Sequence, residues 1–215
     1  FSAKLLVADM DSTMIGQECI DELAAEAGVG AEVAAITERA MRGDLDFVGA
    51  LEQRLGLLAG LDVHVIARLL DQRIRPNPGA ATLIATLKAH GVRTVLVSGG
   101  FTAFADHVGA ALGFDRVVAN RLGIVGGKLS GAIEGAIVDS VAKLAVLEAQ
   151  SRELSGHSVA IGDGANDLPM LQAADLGIAY RAKPRVAAAA DARLDLSDLD
   201  ALLWGLGIPR AQWVV

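Results

Sequence analysis

The chain has 215 residues, 53% of them hydrophobic but only 4% aromatic, with a formal net charge of −7 and a single cysteine. This length allows one large domain, or a core with a smaller insertion. The negative charge argues against nucleic acid or an anionic membrane as the main partner. A single cysteine fits a reducing compartment, and no apolar run approaches the roughly 20 residues that cross a bilayer. We therefore expect a cytoplasmic monomer or homodimer.

Several short apolar runs predict β-strands, and the three clearest of them end abruptly in polar or glycine residues. Continuous rather than alternating apolar character is typical of parallel strands that are covered on both faces. The clear candidates are KLLVADMDST (4–13), RTVLVSGGF (93–101) and HSVAIGDGAND (157–167), and the weaker ones are RVVAN (116–120) and LGIAY (176–180).

Helical patterns at 77–91, 101–114 and 139–154 alternate with these strands, and Asp139 or Ser140 is a plausible N-cap for the last. This alternation predicts an α/β fold with a doubly wound parallel sheet. Residues 120–140 are punctuated by glycine and predict β-hairpins, in other words a small flap beside the sheet.

The stretch from residue 15 to residue 75 contains no convincing strand and predicts consecutive amphipathic helices. It is far too long for a connection between a strand and a helix, which usually takes about 2–6 residues. We therefore predict two domains: a core made of residues 1–14 and 76–215, and a helical cap made of residues 15–75 inserted after the first strand.

Ligands of open α/β sheets bind at the carboxyl ends of the strands, so the polar residues that follow the three clear strands should meet at one rim. The predicted rim contains Asp9, Asp11, Thr13, Ser98, Gly99, Gly100, Asp163, Asn166 and Asp167. Lys143 falls in the first turn of the helix that begins near Asp139. We expect these side chains to form one site.

Four aspartates and one lysine give this rim a charge of −3, which a divalent cation would reduce to −1. Mg²⁺ is the hard cation that carboxylates usually hold where phosphate is handled. A protonated Asp11 would bring the sum to zero and would suit a proton donor. Lys143 and the Ser98 hydroxyl could then hold an anion.

DMDST after the first strand, SGG after the second, Lys143 and GDGAND after the last resemble the motif set of the haloacid-dehalogenase phosphatase superfamily over nearly the whole chain. Within that superfamily, DSTMIGQECIDELA, ERAMRGDLDFVGALEQRL and SGGFT resemble the phosphoserine phosphatases. The resemblance implies a Mg²⁺-dependent hydrolysis of O-phospho-L-serine to L-serine and phosphate, the last step of serine biosynthesis.

The resemblance also implies roles for individual residues. Asp9 would attack phosphorus and form an aspartyl-phosphate, while Asp11 would protonate the leaving oxygen and later take a proton from water. Asp9, the backbone carbonyl of Asp11 and Asp163 would hold Mg²⁺, supported by Asp167. Ser98 and Lys143 would hold phosphoryl oxygens.

The substrate residues that the resemblance implies come from the cap and from the rim. Glu18 would bind the substrate ammonium group, and Arg54 its carboxylate. Met41 and Phe47 would close the pocket over the small side chain. Gly99, Gly100 and Asn166 would contact the substrate from the core.

Two alternatives stay open from the sequence. A phosphatase or phosphotransferase with the same chemistry could act on another small phosphorylated amino acid, such as phosphohomoserine. A receiver-type phosphoacceptor module also combines acidic residues, a hydroxyl and a lysine on a doubly wound sheet, but it is much shorter and lacks a large helical insertion after its first strand.

Overall fold

The computed structural model describes residues 2–214, so Phe1 and Val215, the two ends of the predicted core, lie outside the described residues. Within this range one sheet has the strand order β4-β3-β2-β1-β5-β6-β7. Its strands are β1 (Ala3–Ala8), β2 (Arg93–Phe101), β3 (Arg116–Val125), β4 (Lys128–Glu134), β5 (His157–Gly162), β6 (Leu176–Tyr180) and β7 (Ala192–Leu194). Neighbouring strands are parallel, except β3 and β4, which form an antiparallel hairpin.

Among the described residues, five α-helices in succession precede β2, and the later α-helices alternate with strands except at the hairpin of β3 and β4. The α-helices are α1 (Cys19–Ala27), α2 (Gly30–Met41), α3 (Phe47–Leu57), α4 (His64–Gln72), α5 (Ala80–Ala89), α6 (Thr102–Leu112), α7 (Ser140–Glu153), α8 (Leu168–Ala173), α9 (Pro184–Ala189) and α10 (Ala201–Gly205). Short 3₁₀ turns lie at Ala165–Asp167 and Arg210–Gln212. None of the helices within residues 2–214 has the length and apolar character needed to cross a bilayer.

The central strand β1 is buried on both faces, as its continuous apolar run predicts. Leu6 and Ala8 pack into a core on one face, to which α5, α6 and α10 contribute, whereas Leu5 and Val7 pack on the other face beneath α7, α8 and α9. Burying both faces of a parallel sheet requires helices on both sides. The predicted doubly wound α/β fold is therefore confirmed.

The register of the three central strands brings their polar ends together. Ala8 pairs with Leu96 on β2 and with Ile161 on β5, so the residues that follow each strand emerge at the same level of the sheet. Helix α7 begins with Asp139 as its N-cap, whose side chain accepts a hydrogen bond from Ala142 N at 2.9 Å. This places Lys143 in the first turn, facing the same rim.

Helices α1 to α4 lie between β1 and α5, where the sequence predicts consecutive helices. The two backbone segments that join these helices to the sheet lie side by side as an antiparallel pair at Ile15 and Pro76. We call this pair of segments the crossing. Gly16 N donates to Arg75 O at 3.3 Å and Asn77 N donates to Met14 O at 2.8 Å. We call residues 15–75 the helical segment; an insertion of this kind disfavours a receiver module.

The glycine-rich region 120–140 forms one hairpin, β3–β4, and residues 135–139 continue without a strand. The hairpin tip lies against the helical segment. Gly60 N donates to Leu129 O at 2.8 Å, Leu129 N to Leu61 O at 2.9 Å, and Val63 N to Gly127 O at 3.0 Å. The predicted flap is therefore joined at its stem to the sheet and at its tip to the helical segment.

Candidate active site

The chain turns at the end of β1, and this turn places the first two aspartates at the rim. Asp9 N still donates to Ile161 O at 3.0 Å, and Ile15 N then donates to Met10 O at 3.0 Å, which closes a wide turn over Met10–Met14. Ser12 lies in the left-handed region at φ 56°. Serine pays a conformational cost there, and such local strain is common at functional sites.

Lys143 is fully buried at the centre of the rim and donates to two aspartates. Its Nζ atom lies 2.6 Å from Asp9 Oδ1 and 2.7 Å from Asp167 Oδ1. Burial opposes the charged form, but the carboxylates of Asp167 and Asp9 outweigh it and raise the pKa of Lys143. The sequence predicts Lys143 at the rim, and the structure places it there as a cation between two carboxylates.

Asp167 and Asp163 are held beside this pair by backbone and hydroxyl donors. Asp167 Oδ2 accepts from Gly164 N at 3.0 Å and from Asp163 N at 3.2 Å. A β-carbon on Gly162 would lie 2.5 Å from Asp167 Oδ2, so only glycine leaves room for this carboxylate. Thr13 Oγ1 donates to Asp163 Oδ1 at 3.3 Å.

The carboxylate oxygens of Asp9, Asp163 and Asp167 lie within 4.8 Å of one another, which suits a shared cation. Burial first, and repulsion from Asp167 next, raise the pKa of Asp163 to about 7 and that of Asp9 well above its ordinary value. These raised pKa values mean that the cluster favours a bound proton or a bound cation over three free carboxylates. A hard divalent cation with oxygen ligands fits this donor set.

The side chain of Asp11 is bonded to the start of the helical segment. Its Oδ1 atom accepts a hydrogen bond from Cys19 N, the first residue of α1, at 3.1 Å. Burial, followed by the negative charge of Glu18, raises the pKa of Asp11 to about 7. A carboxyl group with such a pKa can both give and take a proton near neutral pH.

Ser98 and two glycines line the rim next to Asp11. Ser98 is buried, and its Oγ atom accepts a hydrogen bond from Gly100 N at 2.8 Å. A β-carbon on Gly100 would lie 2.5 Å from Asp11 Oδ2. A β-carbon on Gly99 would lie 3.1 Å from Phe47 Cζ and 3.7 Å from Asn166 Nδ2. The structure thus brings Phe47 and Asn166 to the same glycine turn.

The charged residues predicted in the helical segment lie near each other. Glu18 Oε1 accepts a hydrogen bond from Ser12 Oγ at 2.6 Å. Burial lowers the pKa of Arg54, and the nearby carboxylates of Asp21 and Glu18 oppose that shift. Glu18, which is bonded to the turn after β1, and Arg54 therefore carry opposite charges that lie close enough to interact.

Met41 lies at the end of α2 and is 61% exposed. With Asp21 and Ala24 of α1, and with Gly30, Ala34, Thr37 and Glu38 of α2, it lines a cavity of about 350 Å³. The part of Met41 in closing the pocket stays a prediction.

Sequence reasoning missed the contribution of Asn120. It is fully buried, donates from Nδ2 to Gly99 O at 2.8 Å, and accepts at Oδ1 from Val138 N at 2.7 Å. Asn120 thereby joins the glycine turn to the segment that leads into α7. A signal was present, because this polar residue ends the apolar run RVVAN as Ser98 ends the run before it.

Comparison with known proteins agrees with this geometry. A family model described as haloacid dehalogenase-like hydrolase matches residues 6–172, and a second model with the same description matches residues 149–206. A probable phosphoserine phosphatase from Schizosaccharomyces pombe is 46% identical over 97% of this chain and 72% of its own length. A substrate-bound phosphoserine phosphatase structure is 39% identical, with a TM-score of 0.88 over 95% of this chain and 99% of that one.

A phosphoserine phosphatase from Streptomyces coelicolor is 47% identical, and the matched region covers 97% of this chain but 52% of that relative. The similarity extends over almost all of the chain, and the aspartates, Ser98 and Lys143 that carry the resemblance meet at one rim. The chain therefore belongs to the haloacid dehalogenase-like hydrolases and, within them, to the phosphoserine phosphatase family.

Proposed function

We propose that this protein hydrolyses O-phospho-L-serine to L-serine and phosphate in two steps through an aspartyl-phosphate on Asp9. The observation that carries this proposal is the pairing of buried Asp9 with Lys143, beside the separately held Asp11. A carboxylate next to a buried cation can approach an anionic phosphoryl group, because the cation offsets the repulsion between them. Asp11 is close to that pair, and its raised pKa suits proton transfer.

In the first step, Asp9 forms a bond to phosphorus as the bond from phosphorus to the serine oxygen breaks, and that oxygen takes the proton of Asp11. In the second step, a water molecule gives a proton to Asp11 and bonds to phosphorus, while the bond to Asp9 breaks. Phosphate leaves, and both aspartates return to their starting forms. Covalent catalysis replaces one difficult displacement with two easier ones.

Ser98 and Lys143 are the proposed ligands of the phosphoryl oxygens. We further propose Mg²⁺ as the cation, held by the carboxylates of Asp9 and Asp163 and the backbone carbonyl of Asp11, with Asp167 in support. When bound, it supplies positive charge that stabilises the transferring phosphoryl group. Asp167 is already engaged by Lys143 and two backbone amides, which suits a residue that orients its neighbours.

For the substrate's amino-acid part, we propose that residues 15–75 act as a cap over the core. Glu18 binds the ammonium group and Arg54 the carboxylate, while Phe47 and Met41 cover the side chain. Gly99, Gly100 and Asn166 form the opposite wall. The relatives named above are phosphoserine phosphatases, which favours phosphoserine over the alternative, phosphohomoserine.

A phosphate-release assay tests the proposal. Phosphoserine, phosphothreonine, phosphohomoserine and a sugar phosphate are supplied with Mg²⁺ or with EDTA, to the native chain and to Asp9→Asn. We expect release from phosphoserine to be fastest, to require Mg²⁺, and to fall at least 10³-fold in Asp9→Asn, as removal of a covalent nucleophile generally does. Unchanged activity in Asp9→Asn would exclude the aspartyl-phosphate, and faster release from phosphohomoserine would replace the substrate.

A further inference from the structure

The crossing that joins the helical segment to the core contains one side chain that reaches towards the rim. Ile15 and Pro76 face each other without bonding, and the two hydrogen bonds of this antiparallel pair are made by Gly16 N and Asn77 N. The missing N–H of Pro76 therefore leaves no unpaired acceptor in this ladder. Asn77 adds a further bond with its side chain.

Asn77 Nδ2 donates to Thr13 O at 2.8 Å. Thr13 is fully buried, and its hydroxyl donates to Asp163 Oδ1, one of the three clustered carboxylates. On the other side, Gly16 packs close to the same amide, since a β-carbon there would lie 3.3 Å from Asn77 Oδ1. Two hydrogen bonds thus connect Asn77, which is outside the rim, to the proposed cation site.

Gln17 provides a matched contrast within the same crossing. The Oε1 atom of Gln17 accepts a hydrogen bond from Arg75 N at 2.9 Å, so Gln17 also joins the two segments of the crossing through a side-chain amide. This bond ends at the backbone of Arg75 and does not lead to Thr13 or to Asp163. Removing this hydrogen bond weakens the pairing of the two segments but leaves the hydrogen bonds of Thr13 and Asp163 in place.

We propose that Asn77 is a positioning residue, which holds Thr13 and, through Thr13, the carboxylate of Asp163 in the arrangement that binds the divalent cation. Residues that orient metal ligands from outside commonly change metal affinity by 10–100-fold when they are removed. The amide of Asn77 acts on Thr13 through its donor, so an isosteric residue without that donor should not replace it. The kinetic part of this inference rests on the proposed function, whereas the metal-binding part does not.

The test measures Mg²⁺ affinity by isothermal titration calorimetry in the absence of substrate, for the native chain, Asn77→Ala, Asn77→Asp and Gln17→Ala. We expect both Asn77 variants to bind Mg²⁺ roughly tenfold more weakly. Gln17→Ala should stay within about twofold of the native chain, since its bond does not reach the rim. Asn77→Asp keeps the size and backbone bonds of asparagine, so it also controls for a simple loss of packing.

Steady-state kinetics provide a second readout. In both Asn77 variants the Mg²⁺ concentration that gives half-maximal phosphoserine hydrolysis should rise, while KM for phosphoserine at saturating Mg²⁺ stays near the native value. Native Mg²⁺ affinity in the Asn77 variants, or an equal loss in Gln17→Ala, would overturn the proposal. A native chain that binds Mg²⁺ but releases no phosphate from phosphoserine would instead refute the proposed function, and the calorimetric comparison would still decide the role of Asn77.

Discussion

Lys143 and Asp9, which are 134 residues apart in the sequence, form a buried ion pair with 2.6 Å between Nζ and Oδ1. Asp167 bonds to the same ammonium group. Because one cation serves two carboxylates, the pair cannot be separated from the rest of the rim, and its loss affects stability and catalysis together.

Lys143→Met should therefore lower both quantities. Leaving buried carboxylates without their partner typically costs about 3–5 kcal/mol, and loss of a donor to a developing charge slows turnover about 10²–10³-fold. Thermal unfolding in EDTA and steady-state hydrolysis measure the two effects. Lys88→Met is the control, because the ion pair of Lys88 with Asp115 is partly exposed and should contribute at most about 1 kcal/mol. Equal behaviour of the two variants would contradict the central role of Lys143.

Gly100→Ala should impair catalysis through a steric effect on Asp11. The new β-carbon would lie 2.5 Å from Asp11 Oδ2 and 3.0 Å from Ser98 Oγ, so the carboxylate must move. Misplacement of a reacting group by about 1 Å can lower turnover about 10²-fold. Gly205→Ala, in a helix where a β-carbon meets nothing within 4 Å, is the control and should stabilise the protein by up to about 1 kcal/mol. Native turnover in Gly100→Ala would show that Asp11 tolerates displacement.

Asp175→Asn should destabilise the protein in a pH-dependent way. The backbone N–H and the hydroxyl of Ser158 donate to Asp175 Oδ2 at 2.7 and 2.9 Å, and these bonds hold the pKa of Asp175 below its ordinary value. A carboxylate with a depressed pKa stabilises the fold above the pKa of the unfolded chain, about 3.9, and this contribution is lost as the pH falls through the folded pKa.

We therefore expect Asp175→Asn to melt a few degrees below the native chain at pH 7, and the difference to shrink as the pH falls from about 5 to about 3. Thermal scans across that range measure it. Asp106→Asn, which changes an exposed aspartate of α6, controls for the loss of one negative charge. A difference that stays constant with pH would mean that the charge of Asp175 does not contribute.

The hairpin tip offers a site for a cross-link. Asp62 and Lys128 form an antiparallel bridge, and the flanking bonds from Leu129 N to Leu61 O and from Val63 N to Gly127 O make it a non-hydrogen-bonded pair. The α-carbons of such pairs are about 4.5 Å apart, which lies within the range that disulfides accept.

Asp62→Cys combined with Lys128→Cys should therefore oxidise readily, and the closed loop should raise the free energy of unfolding by about 2–4 kcal/mol. Thiol titration and thermal unfolding with and without reductant measure this. The native Cys19 is buried and should not compete, and each single variant serves as a control. Two thiols that persist after oxidation would show that the tip does not lie against residues 60–63.

The sequence predicts much of the rim because each central strand changes from apolar to polar at its end. Asp9, Ser98 and Asp163 all follow this rule, and Lys143 is found by counting from the N-cap of α7. The short elements β7, α8 and α10 were missed, since runs of three to six residues carry too little periodicity to be recognised.

Contacts between distant segments could not be predicted in the same way. The hydrogen bond from Asn77 to Thr13 joins residues 64 positions apart, and it depends on how the two segments of the crossing pair with each other. The orientation of Asp11 towards Cys19 depends on where α1 begins relative to the turn after β1. The hydrophobic pattern fixes which residues face a core, but it contains no information on which polar groups then come within hydrogen-bonding distance.

The hairpin limits how the helical segment can move. Strand β3 starts beside β2 in the sheet and leads to the hairpin tip. Within residues 2–214, backbone hydrogen bonds therefore join the helical segment to the rest of the chain in two places, around the crossing at Ile15 and Pro76 and at the hairpin tip. A body held at one point can swing in any direction, whereas one held at two can turn only about the line that joins them. A rigid rotation of the helical segment that keeps both sets of backbone bonds must use the line between them as its axis, whereas any other opening must break one set or bend β3 near its irregularity between Leu122 and Ile124.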